Sequence, residues 1–317
     1  MEAVTNKKYL LILSVVSFIL SIYTFNTARI VAPILIIVLS LSFLPKLLKM
    51  KKVTFFAFVL GFLILLPIAK FLFSPQASLR FKEVNIFSDP SVVETSNQEI
   101  ENDRNALWSK FLHNRRLKYG ILYVRHYFDN LNPDFLFIKG DGNPKFSTQD
   151  VGQLYLWEFP FLIIGALYLF RKKEGYWWLV PLWIAIGIIP AGVARETPHA
   201  LRIETTLPTF QMLTAYGVVT LFQKMQSLRF NFLNLKVKNL ITYSLFFIIF
   251  LNFLYYLHGY YTHYPREYSG EWQYGYKESI DYVKSVEKNF DQIMMTDSLG
   301  RPYIYYLFYT KKRPKVI

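Results

Sequence analysis

The stretch VTFFAFVLGFLILLPIAKFLF, residues 53–73, decides the fold class, because its 21 residues include one charged side chain, Lys70. An apolar run of about 20 residues is long enough to cross the roughly 30 Å hydrocarbon core of a bilayer as a helix. The residues before it, LPKLLKMKK at 44–52, are rich in lysine. Lysine in short loops marks the cytoplasmic end of a membrane span. The stretch therefore predicts a transmembrane helix that enters from the cytoplasm.

Other apolar segments of similar character flank this one on both sides. They cover residues 9–23, 30–43, 154–170, 176–194, 205–223 and 239–257. The segment at 30–43 is short, so Arg29 and Lys46 have to reach the two interfaces by snorkelling. A signal peptide is the alternative for 9–23, but no clean small-residue cleavage site follows it. The sequence predicts a mainly α, polytopic membrane protein with about seven transmembrane helices.

The basic residues of the connecting loops alternate in number, which predicts the orientation. One set of loops carries Lys7, Lys8, Lys46, Lys49, Lys51, Lys52, Arg171, Lys172, Lys173, Lys224, Arg229, Lys236 and Lys238. The opposite short loops carry Arg29, Arg195 and Arg202. By the positive-inside rule, the amino terminus is cytoplasmic, and the long loop and the carboxy terminus are external. We therefore expect an integral protein of the cell membrane.

The chain divides into four parts on this basis. Residues 1–73 hold helices 1–3 and 154–258 hold helices 4–7, while 74–153 form an external loop region too long for a simple connection. Within that loop, apolar residues recur at helical spacing over 96–127. Residues 259–317 form an external segment that alternates a helix at 276–290, a short strand at 292–296 and a further element at 303–309. One strand cannot make a sheet, so we expect a small external α/β domain that is cut short.

Composition excludes several classes of function. The net charge of +14 is explained by the cytoplasmic loops and anionic headgroups, so no nucleic-acid partner is expected. The chain has no cysteine, which rules out disulfides and thiolate chemistry. His113 and His126 lack the spacing of a metal motif, so no metal site is expected. GxSxG, Walker and GxGxxG motifs are also absent, which argues against a hydrolase, an ATPase and a nucleotide-binding enzyme.

The densest group of candidate site residues is RETPHALRIE, 195–204, in an external loop. It places Arg195, His199 and Arg202 within one short turn. Arginine forks suit phosphate oxygens, so one interpretation is a clamp for the phosphate of a lipid carrier. In the other interpretation, the arginines pair with Glu196 and Glu204 or with headgroups. Both stay open on the residues alone.

Three more residues are weaker candidates. Arg29 in TFNTARIVAP either reaches the same phosphate or anchors the second span. Glu158, near the outer end of the fourth span, is either a buried acid or base or a solvated carboxylate. Asp141 in KGDGNPK marks a turn, with contact to a polar ligand as the alternative.

Several short phrases carry a family resemblance over about residues 23–309. They are YTFNTARIVAP, RFKEVNIFSDP, NPDFLFIKGDGNPKFSTQDVGQLYLWE, RETPHALRIETTLP and GEWQYGYKESIDYV. The chain resembles the carboxy-terminal part of bacterial membrane glycosyltransferases similar to the dolichyl-phosphate-mannose protein mannosyltransferases (glycosyltransferase family 39). The resemblance implies a multi-span fold and transfer of a sugar from a polyprenyl-phosphate donor to a protein, glycan or lipid acceptor on the external face. It places His199 and Arg202 near the carrier phosphate, with Arg195 and Arg29 as weaker contacts; a divalent cation is possible.

The sequence departs from the family at one functional point. The family has a catalytic carboxylate in its first external loop, whereas TFNTAR at 24–29 contains no Asp or Glu. We therefore expect a fragment of a glycosyltransferase that lacks the catalytic base. The alternatives are a surface-polysaccharide ligase or polymerase, and a non-catalytic transporter or sugar-binding relic.

Overall fold

The structure is a computed structural model that describes residues 8–72, 74, 75, 77, 84–227, 235–298 and 300–313, and these residues are mainly helical. The amino-terminal part contains α1 (Tyr9–Thr24), α2 (Ala28–Ser42), α3 (Leu44–Lys49) and α4 (Lys51–Leu72). Apolar side chains of α1, α2 and α4 pack into one cluster that includes Ile19, Ala32 and Ile68. The sequences of α1, α2 and α4 are long runs of Leu, Ile, Val and Phe. These helices therefore present apolar side chains on all sides, both to one another and to their surroundings.

The loop region is also helical, but it is divided more finely than the sequence predicts. In place of one helix over 96–127, it contains α5 (Pro90–Asn102), α6 (Leu107–Leu112) and α7 (Arg115–Asp129). The chain breaks after α5 because Arg104 and Asn105 adopt left-handed backbone conformations, which no helix continues through. It breaks again at Asn114, whose side chain accepts the Arg116 N–H at 2.9 Å and caps α7. A one-turn π-helix follows at Asp134–Ile138.

The second helical group surrounds this π-helix. It contains α8 (Glu158–Lys172), α9 (Leu179–Gly192), the single turn α10 (Ala200–Ile203), α11 (Thr209–Ser227) and α12 (Leu235–His258). Its core joins Phe135 and Phe137 of the π-helix to Ile188 of α9, Ile203 of α10 and Phe210 of α11. A further cluster joins Val31 and Leu35 of α2 to Ile186 of α9, so the two helical groups are packed against each other.

The carboxy-terminal segment contains a π-turn at Gly259–His263 and three helices, α13 (Tyr264–Glu267), α14 (Tyr276–Val286) and α15 (Pro302–Thr310). The helix predicted within 276–290 is confirmed, and the element at 303–309 is helical. The predicted strand at 292–296 is wrong: these residues are irregular. A strand needs a partner, and apart from a single bridge between Asn85 and Ala194 the described residues contain no strand pairing.

Each of the seven apolar segments predicted to span the membrane overlaps a helix, although the segments at 154–170, 176–194 and 205–223 begin three or four residues before α8, α9 and α11. By length and composition, two helical stretches within the described residues can cross a bilayer, Lys51–Phe71 and Asn239–Glu267. Three shorter apolar helices are α1, α2 and α9. In the most apolar windows of the two long stretches, 17% and 0% of the residues are buried. Neither is therefore the buried core helix of a globular domain.

Candidate functional site

The loop between α9 and α11 carries the predicted cluster, and main-chain hydrogen bonds fix its first part. Ile86 N–H donates to the Val193 carbonyl at 3.0 Å, and Arg195 N–H donates to the Val84 carbonyl at 3.1 Å. The Arg195 guanidinium donates to the carbonyls of Asn85 at 3.1 Å and Ser88 at 2.8 Å. Arg195 therefore uses part of its fork to hold the 84–88 segment, in addition to bordering an open polar cavity.

His199 lies in the middle of the site and is 9% exposed. Its backbone N–H donates to the buried Asn130 side chain at 2.9 Å. The imidazole Nδ1 lies 3.6 Å from the Asp141 carboxylate, and the ring packs on Phe146 with centroids 4.8 Å apart. The structure thus pairs His199 with Asp141, a pairing that the sequence did not predict.

Asp141 joins two loops through its buried carboxylate. Oδ1 accepts the Asn143 N–H at 2.8 Å, which confirms the predicted turn. Oδ2 accepts the Ala200 N–H at 2.7 Å, at the start of α10. Gln149 donates to the Asp141 carbonyl at 2.6 Å. Asp141 is therefore the residue that attaches KGDGNPK to the His199 loop.

The surroundings of His199 favour its neutral form. Burial lowers the pKa of the imidazole and outweighs the attraction of the Asp141 carboxylate, while the Arg202 guanidinium also lowers the pKa. A neutral imidazole beside a carboxylate donates or accepts a hydrogen bond and carries no full positive charge toward a phosphate. His199 therefore suits a positioning role better than the role of a cationic clamp.

The lowered pKa makes stability depend on pH. Above the unfolded-state pKa of about 6.5, His199 is neutral in both the folded and the unfolded state, so it does not lower the free energy of unfolding. As the pH falls through that value, the unfolded chain binds the proton first, so the folded protein loses stability until its own lower pKa is passed. We expect the thermal midpoint of the detergent-solubilised chain to fall less steeply between pH 7 and 5 in His199→Gln than in the wild type. A pH profile of His199→Gln that runs parallel to that of the wild type would contradict the assignment.

The structure does not bring Arg29 to this site. Its guanidinium donates to Ile22 O at 3.3 Å and to Asn26 Oδ1 at 2.5 Å, and it lies 5.2 Å from the centroid of Phe71. None of the cavities around His199 and Glu158 is lined by Arg29. These contacts fit the anchor interpretation of Arg29, and its contact with the carrier phosphate stays a prediction.

Arg202 lies on α10 next to His199. Its backbone N–H donates to the His199 carbonyl at 3.1 Å. The side chain is half-buried, and its charge acts on the imidazole as described above. The two residues are thus neighbours, as predicted.

Glu158 begins α8 and is 8% exposed. Its Oε1 accepts the Tyr155 N–H at 3.1 Å, which fixes the carboxylate at the helix start. It lines a cavity of about 650 Å³. Of the two interpretations for Glu158, the structure supports the buried one.

This cavity is one half of a larger depression, which we call the cleft. The other half has a volume of about 340 Å³, and the two share Lys145, Phe146, Gln153 and Leu154. The smaller half is mainly apolar, with walls that include Leu136, Leu201, Ile203, Leu207 and Phe210. The larger half is polar and aromatic, with Glu158, Gln211, Ser147, Thr148 and a group of tyrosines. Lys145 lies where the halves meet.

A row of aromatic rings forms one wall of the larger half. The rings of Tyr256 and Tyr260 stack with centroids 5.9 Å apart, as do those of Tyr260 and Tyr264. Trp272 donates its indole N–H to the Tyr264 hydroxyl at 2.7 Å, and that hydroxyl donates to the Pro144 carbonyl at 2.6 Å. These bonds fix the outer end of the row.

Lys145, Gln211 and this row are site residues that were not predicted from the sequence. The spacing of Tyr256, Tyr260 and Tyr264 places them on one helix face, and that spacing is the signal that could have found the row. Lys145 stood within the turn phrase, where nothing marked it as facing a cavity.

No group of three His, Cys, Asp or Glu side chains that could hold a metal ion occurs in the part of the chain that the structure describes. In comparisons with known proteins, no family model, no curated protein and no solved structure matches this chain.

Proposed function

We propose that the chain is a polytopic membrane protein with about seven transmembrane helices that transfers a sugar from a polyprenyl-phosphate carrier at the external face. The amino terminus is placed in the cytoplasm, and the cleft and the carboxy terminus on the external side. The alternation of lysine in the loops supports this orientation. The exposed surfaces of Lys51–Phe71 and Asn239–Glu267 support the membrane setting, because an unburied apolar helix needs an apolar solvent.

The observation that carries the proposal is the amphiphilic character of the cleft. A half whose walls are mainly apolar apart from Glu204 and Thr206 leads to a junction that includes Lys145. The other half is lined by one carboxylate with amide, hydroxyl and phenol groups. A prenyl chain, a phosphate and a sugar follow one another in the same order along the proposed donor. Aromatic rings and hydrogen-bonding side chains are what a pocket uses to orient a polar ligand.

Each part of the cleft then has a chemical role. Lys145 binds the carrier phosphate; its ion pair with Glu271, at 3.3 Å between side chains more than one third exposed, is weak enough to open. The first external loop lacks the carboxylate of the family, and we assign its role as base to Glu158. Glu158 accepts the proton of the acceptor hydroxyl as that oxygen bonds to the anomeric carbon, and the carrier phosphate leaves with the electron pair of the old bond. Arg202 and His199 do not line either half of the cleft. They flank the apolar half through α10, and their contact with the phosphate stays a prediction.

The experiment measures binding of a polyprenyl-phosphate sugar to the purified chain. We expect Lys145→Ala to weaken binding roughly tenfold, because a charge-assisted contact to phosphate is lost. The matched control is Lys139→Ala, which removes a lysine of the same turn whose side chain is 74% exposed and paired with Asp134. Release of polyprenyl phosphate from the donor in the presence of a membrane extract then reports transfer.

Two results would contradict the proposal. One is a wild-type chain that does not bind the donor. The other is an equal loss in the two lysine variants, since that would show a general effect of charge and not a contact in the cleft.

A further inference from the structure

The exposed face of α7 is apolar, which is the reverse of a helix on a water-soluble surface. Leu117, Ile121, Val124 and Phe128 follow one another at helical spacing, and each is exposed, Ile121 by 62%. The opposite face is polar and half-buried: the Tyr119 hydroxyl donates to the Asp89 carbonyl at 3.1 Å, and the Tyr127 hydroxyl donates to the Ala185 carbonyl at 2.8 Å. The stripe therefore needs an apolar environment that the described chain does not provide.

The neighbouring helix α6 extends this surface. Leu107, Trp108, Phe111 and Leu112 are exposed, Leu107 by 86%. Only Ser109 of the helix is fully buried, and it donates to the Asp103 carboxylate at 2.7 Å. Two consecutive helices thus present large apolar side chains on the outside.

Basic side chains collect beside the apolar stripe. Lys110, Arg115 and Arg116 line a cavity of about 280 Å³ together with Ser96, Asn97, Ile100 and Asn114. No carboxylate lines it, and none of the three cations forms an ion pair with a described residue. A cavity of this size with three cations and three amide or hydroxyl groups fits an anionic headgroup.

We infer that α6 and α7 form a binding site for an anionic lipid, whose headgroup lies between Lys110, Arg115 and Arg116 and whose chains lie along the Leu117–Phe128 stripe. Helices with an apolar face bordered by lysine and arginine lie in the plane of a membrane at the headgroup boundary. The inference depends on the membrane setting proposed above and not on sugar transfer. It selects a lipid over a second protein because cationic and apolar side chains share the same two helices: Arg115 and Arg116 directly precede the stripe in α7, and Lys110 lies among the exposed apolar residues of α6.

Residues of α7 outside the apolar stripe form polar contacts with the loop that carries His199. His126 Nδ1 lies 2.8 Å from the Ala194 carbonyl, and Thr197 donates to the Asp129 carboxylate at 3.0 Å. Asn130, directly after α7, holds the His199 N–H. Lipid binding to α6 and α7 therefore fixes the height of the His199 loop above the bilayer.

The test uses the absence of cysteine from the chain. Ile121→Cys is spin-labelled in nanodiscs that contain phosphatidylglycerol, with Glu101→Cys, at an exposed position of α5, as the control. We expect the label at 121 to be accessible to oxygen and shielded from a water-soluble nickel chelate, and the label at 101 to show the reverse. A label at 121 that is open to the chelate would overturn the inference.

A titration with short-chain phosphatidylglycerol in detergent tests the headgroup pocket. The variant Lys110→Gln, Arg115→Gln, Arg116→Gln should bind about a hundredfold more weakly, because each of the three cations near an anionic headgroup contributes about fivefold. The variant Lys277→Gln, Lys288→Gln, Lys311→Gln removes the same charge from exposed positions of the carboxy-terminal segment and should bind as the wild type does.

Three outcomes would contradict the lipid assignment. If phosphatidylcholine binds as tightly as phosphatidylglycerol, the three cations do not select the headgroup. Displacement by inorganic phosphate alone would indicate a site for a free anion. Shielding of residue 121 that depends on protein concentration would indicate a second copy of the chain.

Discussion

Gly217→Ala is expected to lower the free energy of unfolding by about 3 kcal/mol, the upper end of the range for overpacked interiors. A Cβ atom on Gly217 would lie 1.9 Å from the Phe161 carbonyl oxygen, and one on Gly165 would lie 2.0 Å from the Leu213 carbonyl oxygen. Both obstacles are backbone atoms, which cannot move aside as a flexible side chain can. The methyl group therefore has to separate α8 from α11.

The two glycines matter because they face each other at the closest approach of this helix pair. Small residues allow helix backbones to come together where the solvent is lipid and apolar burial contributes little to association. The effect reaches the cleft as well, since Glu158 begins α8 and Gln211 lies near the start of α11. We expect weaker donor binding in the same variant.

Unfolding in mixed micelles with increasing dodecyl sulfate measures the change. Gly120→Ala is the matched control: it adds the same methyl group within α7, where nothing lies within 4 Å of the new atom. It should stabilise the chain by roughly 0.5–1 kcal/mol, the usual gain of alanine over glycine in a helix. Equal stabilities of the two variants would show that the helices do not touch at Gly217.

The positions of the helices could be predicted because apolar runs such as 53–73 need no distant partner to be recognised. Two predictions from local sequence pattern were wrong, because backbone conformation in one case and a missing strand partner in the other determined the structure. Arg104 and Asn105 leave the helical region of backbone space although the apolar spacing over 96–127 continues across them. Residues 292–296 have strand-like composition, but a strand requires a partner, and composition does not supply one.

The candidate site was predicted in part for the same reason. His199 and Arg202 lie within one turn, so their proximity follows from spacing. Asp141 meets Ala200 across 59 residues, and Asn130 meets His199 across 69 residues; neither contact leaves a local signal. Arg29 was assigned to the site by its charge and its side of the membrane. Its contacts with Ile22, Asn26 and Phe71 could not be predicted from those properties, and its contact with the carrier phosphate stays a prediction.

Asp141→Ala is expected to lower the free energy of unfolding by about 3 kcal/mol, because it removes the acceptor of two partly buried N–H groups, and each unsatisfied group costs about 1–3 kcal/mol. The groups are those of Asn143 and Ala200, at 2.8 and 2.7 Å from the carboxylate oxygens. Burial of the side chain, with 4% exposed, leaves little room for water to replace both bonds. His199 also loses the carboxylate that lies 3.6 Å from its Nδ1.

Chemical denaturation and donor binding, measured on the same samples, separate the two roles proposed for Asp141. If Asp141 connects the two loops, Asp141→Ala should lower both the stability and the affinity for the donor, because the KGDGNPK turn positions Lys145 and Phe146 in the cleft. Asp134→Ala removes a carboxylate that is 44% exposed and bonded to Lys139 at 3.0 Å, so it should change stability by less than about 1 kcal/mol. Asp141→Asn keeps one acceptor oxygen for one N–H and presents a donor to the other, so it should lie between Asp141→Ala and the wild type. An Asp141→Ala variant with unchanged stability and weakened donor binding would contradict the connector role. It would indicate that Asp141 contacts the donor directly, because the substitution would then affect the donor complex and not the fold of the free protein.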